Sequence, residues 1–154
     1  MRTKTLLRTL FLLLLLACAA QAQSIIAIFP SQVTANGPSF TLEVDGFFEN
    51  GSQVCWTPAN GPTQRLSASF SSGPSFQFLF ATVPASLIQS QAASPVRIEV
   101  ASSSTAPCVG PPQTLTILPA PVISSLAPTG APAGSPATTL TVDGANFNSG
   151  HVVY

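Results

Sequence analysis

The chain has little charge. Of its 154 residues, only five are basic and five are acidic. Three of the basic residues are Arg2, Lys4 and Arg8, so residues 23–154 carry two arginines against five acids, a net charge of −3. A nucleic-acid interface needs several cationic contacts with phosphate, and two scattered arginines do not supply them. The composition therefore predicts no nucleic-acid partner.

Side chains suited to catalysis are also scarce. The one histidine, His151, lies near the C-terminus, whereas a Ser-His-Asp site needs a base held by a third group. The sequence shows no metal-ligand spacing and no glycine-rich phosphate loop. Glu43, Asp45 and Glu49 do not predict a calcium site, because strand alternation sends the first two to a solvated face. We therefore expect no enzyme, no metal and no cofactor.

Long hydrophobic runs are absent except near the N-terminus. Leu10–Ala20 contains eleven apolar residues, too few for the roughly 20 that span a bilayer. Basic residues precede this run and Ala20-Gln21-Ala22 follows it, a pattern typical of a signal peptide over residues 1–22. Cys18 offers an alternative, since Leu15–Cys18 resembles a bacterial lipobox. Either reading predicts an exported protein with no transmembrane segment after processing.

Room for long helices is also lacking, because the fifteen prolines are spread from Pro30 to Pro136. Between them, apolar and polar residues alternate, as in Phe40–Asp45, which is typical of half-buried antiparallel strands. Seven strands are predicted, at Ile25–Phe29, Phe40–Asp45, Gln53–Thr57, Thr63–Ser69, Phe76–Val83, Val96–Ala101 and Gln113–Leu118. That number favours an all-β, immunoglobulin-like antiparallel sandwich.

A repeat is visible at a spacing of 98 residues. Ile25–Trp56 and Ile123–Tyr154 align without a gap, which indicates an array of β domains. The identical pairs include Ile25/Ile123, Pro30/Pro128, Pro38/Pro136, Leu42/Leu140, Val44/Val142, Asp45/Asp143, Gly46/Gly144 and Val54/Val152. We therefore expect one complete unit over residues 23–119 and a truncated second repeat, first strands only, over residues 120–154. In each, the Asp-Gly pair is interpreted as a turn that ends the second strand.

Several of these segments resemble an IPT/TIG domain, the immunoglobulin-like fold of plexins and transcription factors. The resemblance is carried by Ile25–Pro30, Val122–Pro128, Leu140–Phe147, Ser52–Trp56 and Ala81–Ile88. It covers residues 24–118 and again 122–154. The family brings no catalytic residues to transfer. Its bacterial members are usually tandem modules of exported or cell-surface proteins, so the resemblance implies a structural or adhesive role.

Two cysteines remain after removal of a signal peptide. An oxidising compartment favours a disulfide between Cys55 and Cys108, which are 53 residues apart. The alternative is a buried Cys55 and a free Cys108 in a loop. The two cysteines are not part of the IPT/TIG pattern, so the predicted bridge depends on export alone.

Phe76–Val83 is apolar on both faces, unlike an ordinary sandwich strand. If Leu79, Ala81 and Val83 point inward, Phe76, Phe78 and Phe80 point outward and form a possible contact surface. The alternative is that loops such as Ser69–Pro74 cover them.

We therefore predict a non-enzymatic extracellular module with a structural, adhesive or assembly role in a larger surface protein. Its expected partners are neighbouring immunoglobulin-like modules or a surface protein or glycan. The alternative is an accessory, carbohydrate-associated domain of a secreted polysaccharide-active enzyme whose catalytic part is absent here. Trp56 is expected in or beside the core, with sugar stacking as the other possibility.

Overall fold

The computed structural model describes residues 23–89 and 94–147. The predicted signal peptide, the alternative lipidation site at Cys18, and His151, Val152 and Tyr154 lie outside the described residues. Within them, helix is limited to one 3-10 turn at Ala85–Leu87 with Pro84 at its N-cap. The fold class is all-β, as the sequence predicts.

The described residues form ten strands. In chain order they are β1 (Ser24–Phe29), β2 (Gln32–Thr34), β3 (Phe40–Phe47), β4 (Gln53–Pro58), β5 (Gln64–Ser72), β6 (Gln77–Val83), β7 (Ser94–Ala101), β8 (Val109–Leu118), β9 (Val122–Ala127) and β10 (Thr141–Ala145). The first eight build the complete unit, and the last two form a separate antiparallel hairpin.

Two layers make up the complete unit. The first sheet has the order β1-β3-β6-β5, and the second has the order β5-β4-β7-β8-β2. Strand β5 belongs to both, because Gln64–Ser67 pair with β4 while Ala68–Ser72 pair with β6. The pairs are antiparallel except β2 with β8, which run parallel. The first two strands, on either side of Pro30, lie in different sheets.

Side-chain alternation gives both sheets an apolar inner face. Leu42 and Val44 of β3 lie opposite Ala81 and Leu79 of β6, and these four side chains are fully buried. Trp56 of β4 is also fully buried, which fits the core position expected for it and leaves no ring face for a sugar. The largest fully buried side chains come from both sheets and include Leu42, Trp56, Leu79, Ile98, Leu115 and Ile117.

The sequence pattern missed one strand and part of another. Strand β2 has only three residues, too few for alternation to show, and its parallel pairing with β8 joins residues far apart in sequence. The start of β8 contains Pro111 and Pro112, which look like loop residues, although Val109 pairs with Val100 of β7. The complete unit therefore has eight strands rather than seven.

The repeat holds at the level of strand pairing. Ala27 lies opposite Asp45 and Phe29 opposite Glu43 in the first unit. In the hairpin, Ser125 lies opposite Asp143 and Ala127 opposite Thr141, each 98 residues later. An irregularity in the register occurs at the same place in both. The pairing of β9 with β10 thus reproduces that of β1 with β3.

The two copies differ in the burial of their apolar side chains. Ile25 is 8% exposed and Leu42 is fully buried, whereas their counterparts Ile123 and Leu140 are 55% and 47% exposed. The first pair is covered by the other strands of the complete sandwich. Among the described residues, the hairpin has no such cover, so its apolar side chains remain on the surface.

The alignment of the two copies shifts by one residue after their Asp-Gly pairs. A Cβ added to Gly46 would collide with the ring of Phe48, and one added to Gly144 would collide with the ring of Phe147. Phe147 thus takes the position of Phe48, although an ungapped alignment pairs Phe48 with Asn146. The second copy has one extra residue here, so the ungapped equivalence ends at Gly144.

The expectation that Asp45-Gly46 forms a turn is wrong. Strand β3 continues to Phe47, and Gly46 lies within it opposite Ile25. A side chain at position 46 would strike the carbonyl oxygen of Ser24 on β1. Glycine is required here because the β1 backbone passes so close, not because the chain turns.

We expect Gly46→Ala to lower the free energy of unfolding by about 3 kcal/mol, because the added methyl group pushes β1 away from β3. Urea denaturation followed by Trp56 fluorescence measures the change. Gly130→Ala is the control, since a Cβ there meets no atom within 4 Å. Equal stability of the two variants would contradict the close-approach explanation.

Candidate contact surface on the first sheet

The outer face of the first sheet combines acids and aromatic rings. The register places Asp45 beside Ala27 and Phe78, and Glu43 beside Phe29 and Phe80. Residues directly opposite in an antiparallel pair project to the same side, and alternation carries Phe47 to that side as well. We call this surface the acidic aromatic face, formed by Ala27, Phe29, Glu43, Asp45, Phe47, Phe76, Phe78 and Phe80.

The three phenylalanines predicted as a contact surface lie together on this face. The ring centroids of Phe76 and Phe78 are 5.2 Å apart, and those of Phe78 and Phe80 are 6.2 Å apart with ring planes 13° from parallel. All three side chains are half-buried rather than exposed. The predicted loop cover contributes, since a Cβ on Gly73 would lie 2.9 Å from the Phe78 ring.

Sequence reasoning missed two aromatic members of the face. Phe29 is 55% exposed and Phe47 is 51% exposed, more than any of the three predicted rings. Phe29 reads as one of a run of apolar residues in β1, and Phe47 lies beyond the turn expected at Gly46. Alternation within the longer β3 is the signal that could have found Phe47.

Asp45 is the unusual member of the face. It was expected on a solvated surface, but it is only 9% exposed, and its Oδ1 atom has no hydrogen-bond partner. In the hairpin, the equivalent Asp143 accepts a hydrogen bond of 2.8 Å from the Ser125 hydroxyl. Ala27 occupies the position of Ser125 in the first unit and has no hydroxyl to donate. The complete unit therefore lacks the hydroxyl donor that the hairpin provides to the equivalent carboxylate.

Glu43 adds a second acid two residues away. It is half-buried between Phe29 and Phe80, and within residues 23–89 and 94–147 no basic side chain forms an ion pair with it. The ion pair in the described part of the chain joins Arg97 to Glu99, at 2.6 Å, on the other sheet. Among the described residues, the face thus has two acids and no cation paired with them.

The outer face of the second sheet has a different construction. Cys55 is fully buried on β4 and bonded to Cys108, as predicted from the two cysteines. Arg65, opposite Cys55 on β5, donates hydrogen bonds to the carbonyl oxygens of Ser103 and Ala106. The disulfide and Arg65 together hold the loop before β8 over this sheet.

Residues 23–89 and 94–147 give little support for other kinds of site. No three His, Cys, Asp or Glu side chains in these ranges converge as metal ligands would. Nor does any helix there have the length and apolarity needed to cross a membrane. A shallow groove on the second sheet is lined by Thr57, Pro58, Arg97 and Thr114, without convergent acids.

No protein-family model matches this chain, and no curated protein matches it significantly. The resemblance to IPT/TIG domains therefore stays a prediction based on the segments quoted above.

Ala27→Ser tests the unsatisfied carboxylate. We expect it to raise the free energy of unfolding by about 1.5 kcal/mol, because the new hydroxyl can donate to Asp45 as Ser125 does to Asp143. Urea denaturation measures the gain. Ala59→Ser, in the exposed turn after β4, should change stability by less than about 0.5 kcal/mol. If the two variants are equally stable, Asp45 does not lack a donor.

Removing the disulfide should be costly. The double substitution Cys55→Ala/Cys108→Ala leaves open a loop of 53 residues, and we expect about 4 kcal/mol less stability. Wild-type protein unfolded in the presence of a reductant is the matched comparison and should behave similarly. A loss below about 1 kcal/mol in both would show that the bridge adds little to the folded state.

Proposed function

We propose that residues 23–119 form a non-enzymatic immunoglobulin-like module of an exported surface protein, with a structural, adhesive or assembly role. The acidic aromatic face is its contact surface. The observation that carries the proposal is the concentration of five of the chain's ten phenylalanines on this one outer face. An outer sheet face rich in apolar side chains commonly marks a protein contact.

The contrast with the second sheet supports the choice of face. The second sheet's outer surface carries Arg65, Arg97, Glu99 and threonines, and its loop is fixed by a disulfide. It therefore has no comparable apolar area. Export is consistent with the Cys55–Cys108 bridge, because disulfides persist in oxidising compartments.

A second candidate is an accessory domain that binds carbohydrate. The partly exposed rings of Phe78 and Phe80 on this outer face favour it, because a sugar can lie against an accessible aromatic ring. We rank it second because the described side chains of this face include no Trp or Tyr. Trp56, the alternative sugar-stacking residue, is in the core.

A library of random eleven-residue peptides displayed on phage provides a test without a known partner. We expect the wild-type module to enrich peptides that bind Phe78→Thr/Phe80→Thr at least tenfold more weakly, because the rings supply most of the apolar contact. Thr57→Ala/Thr114→Ala, on the second sheet, is the control and should bind them normally.

Stability is measured on the same variants. If the phenylalanine variant unfolds more easily and the library yields no peptide sensitive to it, the rings are only structural cover and the proposal is wrong. If polysaccharides, but no peptides, bind in a manner that depends on Phe78 and Phe80, the accessory function replaces the adhesive one.

A further inference from the structure

The two acids of the acidic aromatic face favour a cationic ligand. Glu43 and Asp45 project from alternate positions of β3, which places them about 7 Å apart along the strand. Phenylalanine side chains lie opposite both of them. A carboxylate surrounded by rings is poorly hydrated, and an ionised group of this kind is stabilised when a cation replaces the lost water.

Asp45 is the strongest indication of an external ligand. Nine-tenths of this residue is buried, and its Oδ1 atom has no donor within the described structure. The hairpin shows how the same position is satisfied internally, through Ser125. Since the complete unit has alanine there, no hydroxyl replaces Ser125; and because the Oδ1 atom is itself covered, a cation from outside would meet this carboxylate at its other oxygen.

Aromatic neighbours restrict the kind of donor. The negative faces of phenylalanine rings attract cations within about 6 Å, and arginine stacks on such rings most often. An anionic or neutral hydrogen-bond donor would gain nothing from the rings. A guanidinium or ammonium group would interact favourably with both the carboxylates and the rings.

Residues 23–147 of a second copy would not supply the cation. Beyond residue 22 the chain has only two basic residues, Arg65 and Arg97. Arg65 is engaged with two carbonyl oxygens, and Arg97 is paired with Glu99. A second copy would also bring a net charge of the same sign. The occupant is therefore a basic segment from outside residues 23–147.

We propose that the acidic aromatic face binds an extended segment of a partner protein that carries arginine or lysine at alternate positions. One basic side chain pairs with Asp45 and the next with Glu43, while their stems lie along Phe78 and Phe80. This inference rests on the proposed contact function and adds the chemistry of the partner.

The test uses the ¹⁵N-labelled full chain, produced by export, and two synthetic peptides. One is acetyl-Gly-Arg-Thr-Arg-Gly-amide, and the other has glutamine in place of both arginines. Titration followed by heteronuclear NMR should show saturable shifts in β3 and β6 with the arginine peptide. Because the contact is ionic, its affinity should fall as salt increases, and the glutamine peptide should give no saturable shifts.

Four variants then locate the contact. Asp45→Asn and Glu43→Gln should each weaken binding about tenfold. Glu49→Gln removes the same charge from an exposed loop, so its affinity should stay within about twofold of the wild type. Ala27→Ser leaves the charge unchanged but gives Asp45 an internal donor, so it should weaken binding by about threefold.

The outcomes separate the two proposals. If Asp45→Asn and Glu43→Gln bind the arginine peptide as the wild type does, or if the glutamine peptide binds equally well, the partner is not basic and this inference is wrong. Peptides from the phage library that depend on Phe78 and Phe80 would then still support the contact function. If the wild-type chain self-associates through this face, a second copy is the occupant, and the inference is also overturned.

Discussion

The antiparallel register between β3 and β6 determines both the core and the candidate surface. It sets Leu42 and Val44 against Ala81 and Leu79 on the inner side of the first sheet, where all four are fully buried. The same register sets Glu43 and Asp45 against Phe80 and Phe78 on the outer side. A shift of one residue would exchange the two sets and expose the core. Stability and surface chemistry are therefore fixed by one set of hydrogen bonds.

The two outer faces of the sandwich differ in whether their buried or charged groups have bonding partners within the chain. On the second sheet, the buried sulfur of Cys55, the guanidinium of Arg65 and the carboxylate of Glu99 each have a partner within the chain. On the first sheet, Asp45 has none for its Oδ1 atom. Native proteins rarely leave a buried polar atom unpaired without a reason. The unpaired Nε1 atom of Trp56, on the second sheet, lies in the core, so of these outer-face groups Asp45 alone has unused bonding capacity.

Much of the fold was predictable from local patterns, and most of what was missed depends on distant contacts. Alternation in Phe40–Asp45 and Val96–Ala101 predicted strands and their faces, and the expectation of export predicted the disulfide. Strand β2 was missed because its only support is β8, more than 80 residues away. The burial of Asp45 was missed because alternation reports the side of a residue but not how much its neighbours cover it. The one extra residue before Phe147 was missed because Gly46 and Gly144 align without a gap and give no sign of it.

The β9–β10 hairpin shows that the pairing of the first and third strands is encoded locally. The same register forms there with no sandwich around it among the described residues, and its two strands are joined by a short stretch of chain. Contacts between residues close in sequence form quickly, because little chain entropy is lost in closing the loop. As the polypeptide is synthesised from its N-terminus, β1 and β3 can therefore meet before Cys108 has been added. The disulfide would then form in a chain whose β1–β3 pairing already exists, and it would stabilise that pairing without determining it.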